Sequence, residues 1–454
     1  MQKIHLIAIG GSAMHNLALA LHSKGYQVTG SDDEINEPSY SRLYAKGLLP
    51  ATMGWDSNNI QSDIDIVILG MHARADNPEL LKAQELGLTI YSYPAFLYEQ
   101  SKNKTRIVIG GSHGKTSITS MILHVLKQLH YDFDYLVGAS IEGFDTMVKL
   151  SDAPIIVIEG DEYLASPIQR VPKFHLYMPH IAVISGIAWD HINVFPTWEN
   201  YVEQFDIFIH TLQADSRLFY CKEDVALDNL AEKNTNTIEK TPYTTYPHYI
   251  DENGQTYLLD KNQQATPILV FGKHNLQNIQ AAQLVTSELG VKEEDFIQAI
   301  ASFKGAAKRL ELVYKNESTV IYKDFAHSPS KLKATITAAK EQFTNKKIIA
   351  CMELHTFSSL NATFLQQYND CMNEADIALV YFNPHTIAHK KLTAITTEQV
   401  KEAFHKENLF VTNSLQETLD FLTQQDYTNT CLLMMSSGNF DGLQFEELPI
   451  LLHL

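Results

Sequence analysis

The sequence predicts an α/β protein made of three consecutive domains, each a parallel sheet between layers of helices. Two observations support this fold class. Short apolar runs with strand composition alternate with segments whose apolar residues recur at helical spacing. That alternation restarts twice along the chain, and 454 residues are about what three domains of ordinary size require. We expect the domains to span residues 1–102, 103–310 and 311–454.

The bulk composition leads us to expect a cytoplasmic protein with small-molecule partners. No apolar run approaches the roughly 18 residues that cross a bilayer, and the chain begins directly in a strand pattern without a leader. The four cysteines lie far apart, as reduced thiols do. The net charge of −18 argues against a nucleic-acid partner but allows a small phosphorylated ligand. We therefore expect no membrane and no nucleic-acid partner, and the oligomeric state stays open.

The first domain opens like a dinucleotide-binding βαβ unit. An apolar strand, Lys3–Ile9, turns at Gly10-Gly11-Ser12 into a helix, and the next strand, Tyr26–Thr29, leads to Asp32. A glycine turn followed about 20 residues later by an acid is typical of a Rossmann-like domain. The glycine pattern is incomplete, so a pyrophosphate site and a plain βαβ turn both remain possible.

The second domain opens with a candidate P-loop. The apolar run Ile107–Ile109 breaks into the turn 110–116, GGSHGKT, which is followed by a helical pattern. Such a turn directs backbone N–H groups and the helix N-terminus at phosphates. We expect Lys115 to reach the β- and γ-phosphates of a nucleotide and Thr116 to ligate magnesium. Ile109 stands where the longer P-loop pattern has a glycine.

Polar groups follow two further strands of the central domain. The run Pro154–Ile158 ends at Glu159, and Ile181–Ile184 is followed by Asp190-His191. Carboxyl ends of parallel strands share one edge of a sheet, where such folds bind ligands. Read singly, Glu159 could be a surface acid and His191 a structural histidine. Together they favour a metal site next to the P-loop.

Two asparagines are one helical turn apart near the end of the central domain. Asn275 and Asn278 follow Gly272 and precede an apolar helical face. Asn275 could simply be a helix N-cap. A pair of carboxamides at this spacing could also bind the amino and ring nitrogens of adenine. After Arg309 the α/β alternation restarts and carries the segment 324–329, DFAHSP, at a strand end.

In this order the motifs resemble the Mur ligase family over essentially the whole chain. They are the turn at Gly10-Gly11 with Asp32, GGSHGKT at 110–116, EGDE at 159–162, Asp190-His191, GKHNLQN at 272–278, Lys308-Arg309 and DFAHSP at 324–329. The resemblance implies a P-loop ATPase domain between two Rossmann-like domains. It also implies an ATP-dependent amide ligase of peptidoglycan synthesis that uses Mg²⁺, with Mn²⁺ as an alternative, and forms ADP and phosphate through an acyl phosphate.

The resemblance also implies a role for particular residues. The expected ATP-binding residues are Gly111, Ser112, His113, Gly114, Lys115, Thr116, Ser117, Asn275, Asn278, Arg309 and Asp324. The expected UDP-sugar-binding residues are Gly10, Gly11, Ser12, Asp32, His72 and Asn77. Among the metal ligands, Thr116 and Glu159 would hold the magnesium between the ATP phosphates, and His191 would bind a second metal near the acceptor carboxylate. The catalytic residues would be Lys115, His191, His327 and Arg309.

Two acceptors are compatible with this family. The segments 173–177 and 190–196 resemble the branch that recycles the tripeptide L-alanyl-γ-D-glutamyl-meso-diaminopimelate onto UDP-N-acetylmuramate, and we expect this activity. The alternative is the branch that adds L-alanine to the same sugar nucleotide. Ser328 departs from the histidine common to both branches, and residues 354–359 depart from the loop of the tripeptide branch. A more distant alternative is a nucleotide-dependent oxidoreductase built on the first domain.

Overall fold

The structure of the protein is a computed structural model that describes residues 2–189, 194–252, 254–306 and 309–454. The chain forms two compact units. The first comprises Met1–Ile187, Val202–Tyr243 and Leu284–Gly290, and the second comprises Ala188–Tyr201, Thr244–Gln283 and Val291–Leu454. Among the described residues, no helix combines the length and the hydropathy needed to cross a membrane.

The first unit begins with a four-stranded parallel sheet. Its strands are β1 (Lys3–Ile7), β2 (Gln27–Ser31), β3 (Ile66–Leu69) and β4 (Thr89–Ser92), and its helices are α1 (Ser12–Ser23), α2 (Ser39–Ala45), α3 (Pro78–Glu85) and α4 (Tyr93–Ser101). The order is β2-β1-β3-β4. Because Ile7 is in register with both Ser31 and Leu69, the turn after β1 lies at the carboxyl edge of the sheet.

The central sheet of the first unit places the P-loop strand in its middle. Its strands are β5 (Thr105–Gly110), β6 (Asp134–Leu136), β7 (Val148–Lys149), β8 (Ile155–Glu159), β9 (Ile181–Ile184), β10 (Arg217–Cys221) and β11 (Glu239–Tyr243), and the helices of this stretch are α5 (Lys115–Gln128), α6 (Trp198–His210) and α7 (Val225–Lys233). The order β11-β10-β9-β5-β8-β6-β7 sets β5 between β8 and β9. Ile109 pairs with Glu159 on one side and Val183 on the other, so three strand ends meet beside the P-loop.

The second unit contains a small antiparallel sheet and two helices before its main sheet, except that residues 284–288, at the end of the first of these helices, belong to the first unit. The strands are β12 (His248–Ile250), β13 (Thr256–Leu259) and β14 (Ala265–Pro267), and the helices are α8 (Lys273–Glu288) and α9 (Glu293–Ile300). Because α8 begins at Lys273, Asn275 lies inside the helix, and the N-cap alternative for this residue is wrong.

The main sheet of the second unit has the order β15-β16-β20-β17-β18-β19. Its strands are β15 (Glu311–Lys315), β16 (Thr319–Asp324), β17 (Lys347–Leu354), β18 (Ile377–Phe382), β19 (Phe410–Thr412) and β20 (Thr430–Met435); its helices are α10 (Pro329–Gln342), α11 (Ala362–Leu365), α12 (Pro384–His389), α13 (Thr397–Phe404), α14 (Leu415–Thr423) and α15 (Leu448–Leu451). Alternate residues along these strands belong to two separate apolar clusters. Met352 and Leu433 lie in one cluster, and Cys351 and Leu432 lie in the other. Both faces of this sheet are therefore covered.

The predicted fold class, three α/β domains in sequence, is confirmed. The predicted apolar runs coincide with strands of the three long sheets, and the strand Ile181–Ile184 matches its expected bounds.

Candidate active site

The P-loop turn depends on two glycines. Gly111 and Gly114 have φ values of 127° and 80°, which favour glycine strongly. A Cβ on Gly111 would also lie 2.2 Å from the Ser185 hydroxyl oxygen. The N–H of Ser112 donates to the Gly186 carbonyl at 3.0 Å, and the His113 carbonyl accepts from the Ser185 hydroxyl. This turn leads directly into α5, whose first residue is Lys115.

Lys115 is held by two oxygen atoms. Its Nζ donates to the Gly111 carbonyl and to Glu162 Oε2, both at 2.7 Å. Burial alone would lower the pKa of this ammonium group, but the negative charges of Glu162, Asp161 and Glu159 raise it. The side chain is thus a stable cation at the start of the helix, as phosphate binding requires.

Thr116 and Glu159 lie together behind the turn. The Thr116 hydroxyl donates to Glu159 Oε1 at 2.8 Å, and the Gly138 N–H donates to Glu159 Oε2 at 2.6 Å. Burial and the charge of Asp161 raise the pKa of Glu159. A hydroxyl and a carboxylate next to a phosphate loop are the oxygen donors that Mg²⁺ prefers, so these two residues fit the predicted metal.

His191, the predicted ligand of a second metal, lies outside the described residues, as does Lys308. Among the residues that the structure does describe, no group of three or more His, Cys, Asp or Glu side chains could hold a metal ion. Nucleotide-bound magnesium commonly takes only one or two protein carboxylates and completes its shell with phosphates and water. The Thr116–Glu159 pair is consistent with that type of site.

The turn after β1 brings most of the predicted sugar-nucleotide residues together. The Gly10 N–H donates to Asp32 Oδ2 at 2.7 Å, and a Cβ on Gly11 would lie 3.6 Å from the His72 ring. Helix α1 begins at Ser12, and its N-cap position, Gly11, supplies no side-chain hydrogen bond. Its N-terminal N–H groups are therefore of the kind that binds anions.

Asn77 occupies a different structural position from the glycine turn. It is the N-cap of α3, and its side-chain oxygen accepts from the N–H groups of Glu79 and Leu80 at 2.9 and 3.2 Å. The residue is 4% exposed. In the structure, the Asn77 side chain therefore caps the helix.

The second unit contains three of the predicted site residues, Arg309, Asp324 and His327. Asp324 accepts from the Leu310 N–H at 3.0 Å and from the Thr335 hydroxyl at 2.5 Å. The Arg309 guanidinium lies 4.3 Å from the centroid of the Phe325 ring. His327 Nδ1 lies 2.8 Å from the Phe325 carbonyl, which can only accept, so Nδ1 carries the proton and Nε2 is the basic nitrogen.

The adenine candidates begin α8 in the same unit. Asn275 and Asn278 are both buried, and the Asn275 amide donates to the Phe271 carbonyl at 2.9 Å. Burial lowers the pKa of the neighbouring His274, and the Asp324 carboxylate partly offsets that shift. The asparagines and the Asp324 cluster therefore belong to one unit, whereas the P-loop residues belong to the other.

Glu162 is the residue that sequence reasoning missed. It stands three positions after Glu159 in a recognised motif, but it was given no role. Its contact with Lys115 depends on how the segment after β8 folds back over the P-loop. The spacing of two acids behind one strand was the available signal, and it could not say which acid would meet the lysine.

The fold and this site define a class of protein: an enzyme in which a P-loop α/β domain is flanked by two further α/β domains. Comparisons with known proteins narrow the class. Family models described as "Mur ligase family, catalytic domain", "Mur ligase middle domain" and "Mur ligase, glutamate ligase domain" match residues 3–105, 109–286 and 308–438.

The relatives agree with these matches over nearly full length. A UDP-N-acetylmuramate–L-alanine ligase of Clostridium kluyveri is 29% identical over 98% of this chain and 97% of its own. The structure of a UDP-N-acetylmuramate–alanine ligase from Thermotoga maritima aligns with a TM-score of 0.70 at 21% identity, covering 97% of each chain. That of a murein peptide ligase from Psychrobacter arcticus aligns with a TM-score of 0.65 at 21% identity, covering 100% of this chain and 99% of its own.

The chain belongs to the Mur ligase family. It is an ATP-dependent ligase that forms a carbon–nitrogen bond and releases ADP and phosphate.

Proposed function

We propose that this enzyme joins the carboxylate of UDP-N-acetylmuramate to the amine of L-alanine in peptidoglycan synthesis. The observation that carries the proposal is the full-length similarity to curated L-alanine ligases, such as that of Clostridium kluyveri. The P-loop geometry supports it, because Lys115, Thr116 and Glu159 stand together as a phosphate and metal site requires. This acceptor was the alternative that the sequence left open, and the relatives favour it over the tripeptide.

The chemistry explains why a nucleotide is needed. An amine cannot displace oxide (O²⁻) from a carboxylate at neutral pH, because oxide is too poor a leaving group. Transfer of the γ-phosphoryl group to a carboxylate oxygen releases ADP and gives an acyl phosphate. The amine nitrogen then attacks the carbonyl carbon, the C–O bond to phosphate breaks, and the nitrogen loses a proton. The product is an amide.

The protein would neutralise the negative charge of the phosphates and would position the reactants. Lys115 would contact the phosphates, and Arg309 would add a second positive charge. Thr116 and Glu159 would hold Mg²⁺, which when bound offsets the negative charge of the phosphoryl groups, and His191 would bind a second metal near the acceptor carboxylate. Asn275 and Asn278 would bind adenine, and Asp324 would bind near the ribose. Nε2 of His327 is suited to take a proton from the incoming amine.

The sugar nucleotide would bind in the first domain. The Gly10-Gly11-Ser12 turn and the N-terminus of α1 would contact the diphosphate, and Asp32 and His72 would line the same turn. Asn77 would contribute only its amide N–H groups, because its oxygen caps α3. We propose the same domain spans as before, residues 1–102, 103–310 and 311–454.

The tripeptide remains a second candidate because of the carboxyl edge of the last sheet. Polar side chains follow four adjacent strands there: His327 after β16, Ser436 after β20, Glu353 and His355 at the end of β17, and Asn383 after β18. Three strand spacings span roughly 14 Å, whereas one amino acid extends only about 3.5 Å. A fully extended tripeptide spans about 10–11 Å and would use most of this edge.

The two acceptors can be compared directly. Purified enzyme would receive ATP, Mg²⁺ and UDP-N-acetylmuramate with either L-alanine or the tripeptide, and phosphate release and product mass would be followed. We expect turnover with L-alanine. Turnover with the tripeptide alone would replace the first proposal by the second, and an amide product with neither would refute both. The Lys115→Ala enzyme, which should bind the sugar nucleotide but turn over at least about 1,000-fold more slowly, is the background control.

A further inference from the structure

The Lys115 ammonium already has an anionic partner within the protein. Glu162 Oε2 lies 2.7 Å from Lys115 Nζ, and the two side chains are 1% and 11% exposed. Glu162 is thus a desolvated carboxylate in direct contact with the cation that the P-loop offers to phosphates. No part of the ligase chemistry above requires an acid at this position.

We propose that Glu162 makes nucleotide binding depend on a divalent cation, so that the site accepts metal-bound ATP and rejects free ATP. The proposal rests on the proposed role of Lys115 as a phosphate contact. A phosphate oxygen bound to Nζ and the Glu162 oxygen would each lie about 2.8 Å from the same nitrogen. The two anions would then be no more than roughly 5.6 Å apart.

Like charges at that separation repel strongly where water is excluded. A divalent cation on the phosphates cancels much of the repulsion, because it removes two of the negative charges that face Glu162. The fully ionised triphosphate carries about four negative charges and suffers the whole effect. Glu162 therefore lowers the affinity for the free nucleotide more than the affinity for the metal complex.

The neighbouring acids differ from Glu162 in what they contact. Asp161 lies 3.1 Å from Lys173, on a partly exposed pair. Glu159 accepts from Thr116 and from the Gly138 N–H. Asp161 is next to Glu162 in sequence, adds to the same local negative charge and lacks the contact with Lys115, so it provides a matched control.

The test is a pair of binding titrations by calorimetry, one with Mg²⁺ and one with EDTA. They would be run on the parent enzyme, Glu162→Gln and Asp161→Asn. We expect Glu162→Gln to bind ATP in EDTA at least 10-fold more tightly than the parent does, with affinity in Mg²⁺ changed less than 3-fold. Asp161→Asn should keep the parent ratio of the two dissociation constants. Equal changes in both buffers for Glu162→Gln, or the same shift in Asp161→Asn, would overturn the proposal.

Two further variants distinguish failure of the Glu162 proposal from failure of the proposed phosphate contact of Lys115. Glu162→Asp retains the charge and should keep a Mg²⁺ to EDTA ratio at least 3-fold above that of Glu162→Gln; a ratio equal to that of Glu162→Gln counts against the proposal. If Glu162→Gln does not fold, Glu162→Ala, which also lacks the charge, takes its place in each of these comparisons. If Lys115→Ala binds ATP as the parent does in both buffers, the phosphate role of Lys115 fails. An unchanged ratio in Glu162→Gln refutes only the role of Glu162.

Discussion

Asp32 is a carboxylate whose surroundings oppose its charge. It is 6% exposed and receives a hydrogen bond from the Gly10 N–H at 2.7 Å. Burial raises the pKa of Asp32 to about 6, the Gly10 hydrogen bond works against that shift, and the adjacent Asp33 adds to it. The folded protein therefore holds a proton on Asp32 at a pH where the unfolded chain has lost it.

This shift predicts a particular pH dependence of stability. Because the pKa is higher in the folded state, the stabilisation is complete below about pH 4 and is lost as the pH rises through 6. Asp32→Asn keeps an acceptor for Gly10 but cannot ionise. Between pH 4.5 and 7.5, the parent should lose about 1–2 kcal/mol more of its free energy of unfolding than Asp32→Asn does. Urea unfolding at the two pH values measures this, and identical losses would contradict it.

Helix α3 shows how one side chain sets the start of an element. Asn77 accepts from the N–H groups of Glu79 and Leu80, and Pro78 occupies the first position, where a missing N–H costs nothing. The same residue was predicted to contact the sugar nucleotide. The structure gives a way to separate these two tasks, because aspartate caps a helix as well as asparagine does.

We predict that Asn77→Ala lowers the free energy of unfolding by about 1 kcal/mol, whereas Asn77→Asp lowers it by less than about 0.5 kcal/mol. Chemical denaturation measures both. If Asn77 also binds the sugar nucleotide through its amide N–H groups, Asn77→Asp should weaken UDP-N-acetylmuramate binding although the helix is intact. Equal stability of Asn77→Ala and the parent would show that the cap contributes nothing.

At the scale of elements, the sequence anticipated the central strands but missed some of the edge strands. Buried parallel strands such as β9 are continuous apolar runs, which composition alone reveals. The two-residue β7 and the edge strand β15 lack such a run, because their positions depend on pairing with β6 and β16. Pairing between distant segments cannot be read from local composition.

The site residues likewise divide into those that could be predicted from local sequence and those that could not. Lys115 and Thr116 could be predicted because phosphate binding demands their chemistry at fixed spacing from a glycine turn. The contact between Lys115 and Glu162 could not, since it depends on the path of the chain after β8. The capping role of Asn77 was missed because the sugar-site interpretation was preferred to the local signal of asparagine before proline.

Across the whole first unit, side chains tie the N-terminal sheet to the central one. Arg42 donates to the Asp145 carbonyl at 2.6 Å, and Asn16 accepts from the Met147 N–H at 3.0 Å. The linker between the two sheets is bound by Arg106, a buried residue at the start of β5. These contacts favour movement of the two sheets as one body.

The Arg106 guanidinium lies 5.1 Å from the centroid of the Tyr98 ring and donates hydrogen bonds to backbone carbonyls in and around the linker. Its Nε donates to Tyr177 and Met178, both at 2.9 Å, and its Nη1 donates to Ser101 at 2.8 Å and to Lys102 at 3.2 Å. Leucine at this position would leave the buried Tyr177 carbonyl without this donor and would remove the bonds to Met178 and Lys102, whereas the Ser101 carbonyl would keep the Lys104 N–H. We predict that Arg106→Leu lowers the free energy of unfolding by about 2–4 kcal/mol.

The loss should also be local, because two of these carbonyls, those of Ser101 and Lys102, belong to the segment that joins the two sheets. Trypsin should therefore cut after the exposed Lys102 at least about 5-fold faster in Arg106→Leu than in the parent, at protease levels where cleavage follows local opening. Arg74→Leu is the matched control, since Arg74 is 83% exposed and pairs with the exposed Asp76; its stability should change by less than about 0.5 kcal/mol. Mass spectrometry of the digest locates the cut. If Arg106→Leu were cut after Lys102 no faster than Arg74→Leu, the hydrogen bonds from Arg106 to carbonyls would not hold the linker. Arg42 and Asn16 would then be the residues that join the N-terminal sheet to the central sheet.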